Sequence, residues 1–545
     1  MKKNYFIIIV ILLSVSTFSQ EVDLSWANSF GDTSGDQTHH MTTDLSGNIF
    51  TTGFFKNTVD FDPSSSTYEL TSNGDVDIFV QKLDSDGNFI WAIAIGGTSS
   101  DEGYGISTDT SGNIFVTGGF NLTVDFDHGS GTHNLTSNGS DDIFILKLDT
   151  NGSFIWVKSI GGTANDQGRA LITDTSGSIY LTGYYQGEVD FNPGAGVYFL
   201  NHDNGDDAFI LKLDANGDFV WANAITSSLY AQGYAIQIDG LGNVLVTGTL
   251  DAGNVTFIKK IDNVGNTLWY KTIAGSSANR GHSIITDALN NVYVTGIYQQ
   301  TTDFDPSTGI FNLTSIGGYD IFILKLNSDG DFLWVKSMGE SSGDSGEEII
   351  IDNSGYIYIT GTFEGTVDFD PSSNIFNLTS NGGRDIFIQK LDENGSFVWA
   401  SSMGGIGSEY PRGFLIDPSG SLYLTGIFQN TIDFDPSGNI YNLTSNGSFD
   451  IFNIKLGQTT LGVEESTLIN DAIIFPNPFQ NVVNINLRNH NEVSVKMFNV
   501  NGQLIFNEKN INTEKYQFSF DGIKGIYFIE VNYQGEKQHF KLIKQ

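Results

Sequence analysis

DTSGNIFVTGGFNLTVDFDHGSGTHNLTSNGSDDIFILKLDTNGSFIW, residues 109–156, recurs with small changes along most of the chain. A Thr-Gly pair marks each copy, at Thr52, Thr117, Thr182, Thr247, Thr295, Thr360 and Thr425, spaced by 65 residues apart from one interval of 48. Trp26, Trp91, Trp156, Trp221, Trp269, Trp334 and Trp399 are all the tryptophans present, and they keep the same spacing. Two independent landmarks therefore count seven copies. A fixed period of this size is the signature of stacked units, none of which can bury its apolar face alone.

Each copy offers four short strands, in the second copy over 106–109, 113–120, 142–149 and 154–160. Asp, Asn and Gly between the first two and the last two supply the positive φ and local hydrogen bonds of tight hairpins. In the fourth strand Phe89, Trp91, Ile93 and Ile95 alternate with Ile90, Ala92 and Ala94, so both faces are apolar. Such a strand is covered on both sides. Four-stranded sheets stacked face to face in a ring meet that demand, and the expected fold is all-β: a seven-bladed β-propeller. The chain enters at DLSWANSFG (23–31), a fourth strand without three before it, and leaves at FDIFNIKLG (449–457), a third strand without a tryptophan strand after it. The N-terminal strand is expected to complete the last blade and lock the ring. The 48-residue copy lacks the segment DFDP…NLTSNG, so that 17-residue insertion is expected to be a hairpin or loop on one rim, dispensable to the blade.

The ends differ from the middle. Lys2 and Lys3, an apolar run from Tyr5 to Leu13, and small or polar residues up to Ser19 read as a signal peptide over 1–19. The run is far short of the ~20 residues a spanning helix needs, and no other stretch qualifies, so no transmembrane segment is expected in the mature protein. There is no cysteine, which excludes thiol catalysis, Cys-ligated zinc and iron–sulfur centres. Residues 21–470 carry 16 Lys and Arg against 56 Asp and Glu, whereas 471–545 carry 8 against 7. The acidic part repels phosphate backbones, which argues against nucleic-acid binding. The change in charge marks a boundary: a propeller over 20–457, a polar linker over 458–471 and a C-terminal domain over 472–545.

The GNIFVTG…DIFILKLD pattern with its following Trp resembles the SBBP-type β-propeller repeats of secreted bacterial proteins. That resemblance implies the fold and no shared activity. The C-terminal segment alternates apolar residues between NG, DG and QG turns, as a small β-sandwich does. Pro476, Asn477 and Pro478, then Gly502 and Gln503, then Gly525 and Tyr527, and finally Lys541 and Lys544 resemble the type A C-terminal sorting domain of the type IX secretion system of Bacteroidetes. The resemblance implies Sec export to the periplasm, then passage to the outer-membrane surface or the medium. It also implies partnership with the type IX machinery and its sortase-like peptidase, with cleavage in the linker.

Residues present in every copy read as scaffold. Asp44, Asp109, Asp174, Asp239, Asp287, Asp352 and Asp417 are expected to cap turns, and Lys82 with its six equivalents to be solvated or paired. Five residues before each of those aspartates stand His39, Tyr104, Arg169, Tyr234, His282, Glu347 and Arg412. This position does not repeat. It precedes the first, innermost strand, so these side chains are candidates for a ring at the channel mouth that holds a polar or anionic ligand, such as a sugar. Five pairs of carboxylates are weaker candidates for calcium: Asp60 with Asp62, Asp125 with Asp127, Asp303 with Asp305, Asp368 with Asp370, and Asp433 with Asp435. The third copy has Asp190 with Asn192. The other reading of these pairs is a structural Asp turn. His128 and His133 fit no metal spacing. HExxH, GxSxG and P-loop patterns are read as absent, and no enzyme is expected. The expected function is a secreted or surface-attached binding or structural module for glycan or another extracellular polymer. A polysaccharide lyase or hydrolase working at the channel mouth and a calcium-stabilised adhesin are the alternatives.

Overall fold

The computed structural model describes residues 22–458, 473–475, 478–487, 493–499, 504–533 and 536–544. The signal segment, the linker and Pro476, Asn477, Gly502 and Gln503 lie outside the described residues. Contacts divide the chain after Gln458 into two compact units.

In the first unit a single antiparallel sheet pattern repeats, which fits a β-propeller. The second copy forms Glu102–Thr108, Ile114–Phe120, Asp142–Leu148 and Phe154–Ile160, hydrogen-bonded in that order. The turn after the first strand shows why it is tight. Gly112 takes φ +80°, and Asp109 Oδ1 accepts from the amides of Ser111 and Asn113 at 2.9 Å each. The equivalent aspartates at 44, 174, 239, 287, 352 and 417 do the same in their turns. Strands two and three are almost wholly buried because sheets cover both of their faces.

The sheet built from Tyr410–Ile416, Leu422–Phe428 and Asp450–Gln458 takes its outer strand from the other end of the chain. Val22–Phe30 pairs antiparallel with Asp450–Gln458, from Val22 opposite Gln458 to Phe30 opposite Ile451. The first strands of successive sheets lie side by side, and Tyr410–Ile416 lies beside Gln37–Thr43.

Two devices join neighbouring sheets. The outer-strand indoles rest on turn glycines of the next sheet: a Cβ at Gly152 would stand 3.1 Å from the Trp91 ring, and one at Gly87 2.8 Å from Trp26. The seven lysines, expected to be solvated or paired, are in part paired, as Lys260 Nζ is at 2.9 Å from Asp239 Oδ2, and they also reach across. Lys82 Nζ donates to Thr150 O at 3.1 Å, Lys260 to Ser328 O at 3.1 Å, and Lys455 to Ser85 O at 3.2 Å. Several of these ammonium groups also lie over a ring of their own sheet, as Lys82 does over Phe50 at 4.8 Å.

The insertion is a hairpin, such as Thr58–Asp60 with Glu69–Thr71, but it is no loose rim loop. Phe61, Phe126, Phe191, Phe304, Phe369 and Phe434, the aromatic residues of the DFD segments, are fully buried. The hairpin folds back onto its own sheet, with Tyr68 5.0 Å from Phe89 and Phe376 4.8 Å from Phe397, ring to ring. In the short fourth copy a tight turn, Asp251–Gly253, replaces it, with φ of +49°, +62° and +86° at its three residues.

In the C-terminal unit a three-stranded and a four-stranded antiparallel sheet share one core containing Phe479, Val483, Val495, Met497, Ile529 and Leu542. Lys544 is buried there. Its Nζ donates to Asn481 Oδ1 at 2.9 Å, to Phe520 O at 3.0 Å and to Gln480 O, under the rings of Phe479 and Phe520. Tyr527 donates its hydroxyl to Ile523 O at 2.6 Å. Among the described residues no helix is long and apolar enough to cross a membrane.

Candidate functional site

The first strand of each sheet begins earlier than its apolar pattern suggests, at Glu102 rather than 106 in the second copy. The seven unlike residues therefore lie inside these strands, not ahead of them. Each is the extra residue of a β-bulge. Gly103 pairs with Gly118 and Gly105 with Thr117, which leaves Tyr104 without a partner. The same skip isolates His39, Arg169, Tyr234, His282, Glu347 and Arg412. A bulge re-aims the side chain it carries and relieves it of ladder pairing.

The glycine of each Thr-Gly landmark faces the bulge. A Cβ at Gly118 would stand 1.8 Å from Glu102 O, and one at Gly53 1.9 Å from Gln37 O. Gly183, Gly248, Gly296, Gly361 and Gly426 meet the same obstacle at 1.9 to 2.2 Å. Only glycine allows the two backbones this approach.

All seven bulge residues line one cavity of about 360 Å³, joined by Arg280, Glu348 and Pro411. The Arg169 guanidinium lies 4.4 Å from the centre of the Tyr104 ring, and the His39 ring lies 4.6 Å from the same ring. Tyr104 donates its hydroxyl to Glu102 Oε2. Burial, together with the Glu102 carboxylate, keeps that phenol protonated well above its ordinary range, although Arg169 opposes the shift. Burial, with the nearby charges of Arg412 and Arg169, holds His39 well below the usual imidazole range, so its ring is neutral. Across the cavity, His282 Nδ1 stands 3.4 Å from Glu347 Oε2 and 3.0 Å from Gly346 O. Burial would raise the Glu347 carboxyl, but His282, Arg412 and the Ser345 hydroxyl outweigh it and keep it ionised. Glu348 accepts from the Ser283 hydroxyl at 2.7 Å, and burial pushes it up to about 8. The Nε atoms of Arg169, Arg280 and Arg412 and the Nε2 of His39 are buried without a hydrogen-bond partner in the protein.

Arg280 and Glu348 escaped the sequence reading, which took one position per copy. Arg280 stood out in the composition as one of only four arginines among residues 21–457.

The paired aspartates, the calcium candidates, are not part of this cavity. They lie in the hairpins, where backbone amides occupy them. Asp60 Oδ1 accepts from the amides of Asp62 at 3.1 Å and Tyr68 at 2.8 Å, and Asp62 Oδ1 from Ser64 at 2.9 Å. The first bond recurs from Asp127 to Asp125, from Asn192 to Asp190, from Asp305 to Asp303, from Asp370 to Asp368 and from Asp435 to Asp433. The second member of each pair then accepts in its turn. Asp127 takes the amide of Gly129 at 3.1 Å, and Asp305, Asp370 and Asp435 take those of Ser307, Ser372 and Ser437 at 2.9 Å. This is the geometry of a structural Asp turn rather than of a converging ligand set. Among the described residues no three His, Asp or Glu are grouped to hold a metal. His133 packs on Phe154 with ring centres 5.2 Å apart.

A G-x-S-x-G spacing was expected to be absent, but the string GESSG at 339–343 matches it. It forms the turn between Phe332–Met338 and Ser345–Ile351, with no helix after it, so it is not a nucleophile elbow.

Residues 473–545 match the family described as the secretion system C-terminal sorting domain. The chain carries a secretion sorting domain. Residues 90–118 match the family described as the beta-propeller repeat. The sorting domain points to secretion or attachment at the outer-membrane surface, and to contact with the secretion machinery. Of its signature residues, Tyr527 and Lys544 are anchored in its core and Pro478 is exposed. The chain is also similar to an uncharacterised WD repeat-containing protein of Acanthamoeba polyphaga mimivirus, at 24% identity over 88% of this chain and 37% of that protein. The regulatory protein FlaEY of Caulobacter vibrioides is 22% identical over 32% of this chain and 18% of its own length. The chain thus spans well under half the length of either relative.

Proposed function

We propose that residues 22–458 form a seven-bladed β-propeller closed by the N-terminal strand, and that this propeller is an exported, non-catalytic binding module. Its ligand sits in the cavity at the channel mouth, and an extracellular glycan is the ligand class we favour. The observation that carries the reading is the convergence of all seven non-repeating bulge residues on one cavity. The pairing of Val22–Phe30 with Asp450–Gln458 and the bond from Lys455 to Ser85 support closure. The route runs through the periplasm by the N-terminal signal, then by the type IX system, with a sortase-like peptidase cutting between residues 458 and 471.

A binding role suits the chemistry better than catalysis. Tyr104 is committed to Glu102 and held protonated, which removes it as a general base at neutral pH. The test has two arms. Removing residues 473–545 should leave the protein in the periplasm, and normal surface arrival would refute the export assignment. Incubation with a polysaccharide panel should give retention without new reducing ends; reducing ends lost in Tyr104→Phe or His282→Ala would establish an enzyme instead.

A further inference from the structure

Where the arginines stand decides the ligand's charge. Residues 21–457 hold only Arg169, Arg280, Arg384 and Arg412 within a strongly acidic sequence, and three of these four line the same cavity. Their Nε–H groups are buried and find no acceptor in the protein. A buried donor left unpaired is costly, so three around one cavity are a standing preference for an acceptor from outside. The carboxylates present do not answer it. Glu347 is engaged by His282 and Ser345, and Glu348 is hydrogen-bonded to Ser283 and raised by burial to about 8. Three guanidiniums therefore outnumber the carboxylates beside them, Glu347 and the Glu102 that accepts from Tyr104.

We propose that the cavity is a receptor for one sugar residue bearing a single oxyanion, a carboxylate or a sulfate ester, on an otherwise neutral glycan. The proposal rests on the reading that this cavity is the ligand site. Guanidinium forks match oxyanion geometry and give charge-assisted bonds. Arg169 and His39 already pack on the Tyr104 ring, so the Tyr234 ring is the aromatic side chain left to pack on a sugar ring. The volume, about 360 Å³, lies at the small end of ligand pockets and suits one residue rather than a threaded polymer. The whole chain has a net charge of −37, so its outer field repels polyanions. A positive cavity in an acidic shell selects a ligand whose one charge reaches the arginines and whose remainder is neutral.

The test titrates the full chain with glucuronic acid, glucose 6-sulfate, glucose and inorganic sulfate by calorimetry. Glucuronic acid or glucose 6-sulfate should bind at least tenfold more tightly than glucose, and the tighter of the two identifies the anion. Arg169→Gln or Arg412→Gln should reduce that binding tenfold or more without changing the melting profile. If a glutamine variant fails to fold, Arg412→Lys keeps the charge, and binding at the parental affinity would refute a role for the planar fork. Equal affinity for glucose and glucuronic acid would overturn the anion assignment while leaving the cavity as a glycan site. Inorganic sulfate binding as tightly as the sugar sulfate would overturn the carbohydrate part. No binding of any probe would overturn both.

Discussion

Replacing Phe30 by alanine should lower the melting temperature of the entire propeller by about 3–5 °C. Phe30 ends the strand Val22–Phe30, is 4% exposed, and its ring lies 5.0 Å from that of Phe61 and 5.8 Å from that of Phe79. Those two rings belong to the first sheet and its hairpin, whereas the strand of Phe30 is the outer strand of the last sheet. The side chain therefore fills the seam at which the ring is proposed to close. Truncating a buried Phe costs about 3–5 kcal/mol. Cooperative unfolding of roughly 440 residues at ~2.1 cal/mol/K each carries an entropy near ~0.9 kcal/mol per degree, so the cost converts to about 3–5 °C. Scanning calorimetry of the full chain would compare Phe30→Ala with Ile95→Ala, the buried equivalent one repeat later. In a closed ring both substitutions lower one common transition by similar amounts. If Ile95→Ala lowers that transition while Phe30→Ala leaves it within 1 °C, the terminal strand is a loose end and the closure argument fails.

Acidity should stabilise this propeller. Burial pushes Asp142 and Asp320 up to about 7, and Glu348 and Glu409 up to about 8. A carboxyl group with a raised folded pKa holds its proton more tightly folded than unfolded. Its contribution is full below the unfolded value near ~4 and is lost as pH rises through the folded one. The melting temperature should therefore fall from about pH 5 to about pH 8, and a rise across that window would contradict protonated burial. Calcium should leave the melting temperature unchanged to within 1 °C, because the hairpin aspartates are already occupied by backbone amides. A thermal shift of several degrees, reversed by EDTA, would show that they exchange those bonds for metal. Gly118→Ala should destabilise the propeller by at least ~2 kcal/mol, since the new Cβ would meet Glu102 O at 1.8 Å. Gly438→Ala, with nothing within 4 Å, is the control that should stay within ~0.5 kcal/mol. Equal stability of the two variants in urea titration would remove the bulge as the reason for the Thr-Gly pair.

Periodicity made the repeated sheets legible, because strand alternation, hairpin glycines and Trp spacing all report the same physical unit. It failed where one residue's partner lies in another copy. Lys82 looks like a polar strand residue, yet its acceptor is Thr150 O in the next sheet, a distance that no local pattern encodes. The DFD hairpin looked optional because one copy omits it, yet Phe61 is wholly buried beneath it. Asp142 looked like a polar strand end. It is buried at the start of its strand, where its Oδ2 accepts from the Asn138 amide at 3.1 Å, and this burial underlies the stabilisation predicted in acid.

The ring of unlike residues was legible by counting, but its strand was read as starting late, and the two facts have one cause. A bulge puts two residues opposite one, so the period-2 pattern breaks at the position that carries function. The Glu102-Gly103-Tyr104-Gly105 segment therefore resembles a loop, although Glu102–Thr108 is one strand. The cost of the bulge falls on the facing strand, where each Thr-Gly glycine must lie against the bulge carbonyl and cannot change. The bulge residue itself carries no ladder pairing, so it is free to be His, Tyr, Arg or Glu. The most uniform position in the repeat and the least uniform one are thus two sides of a single backbone feature. The glycine that identified the repeats also marks, from across the sheet, where the candidate site is built.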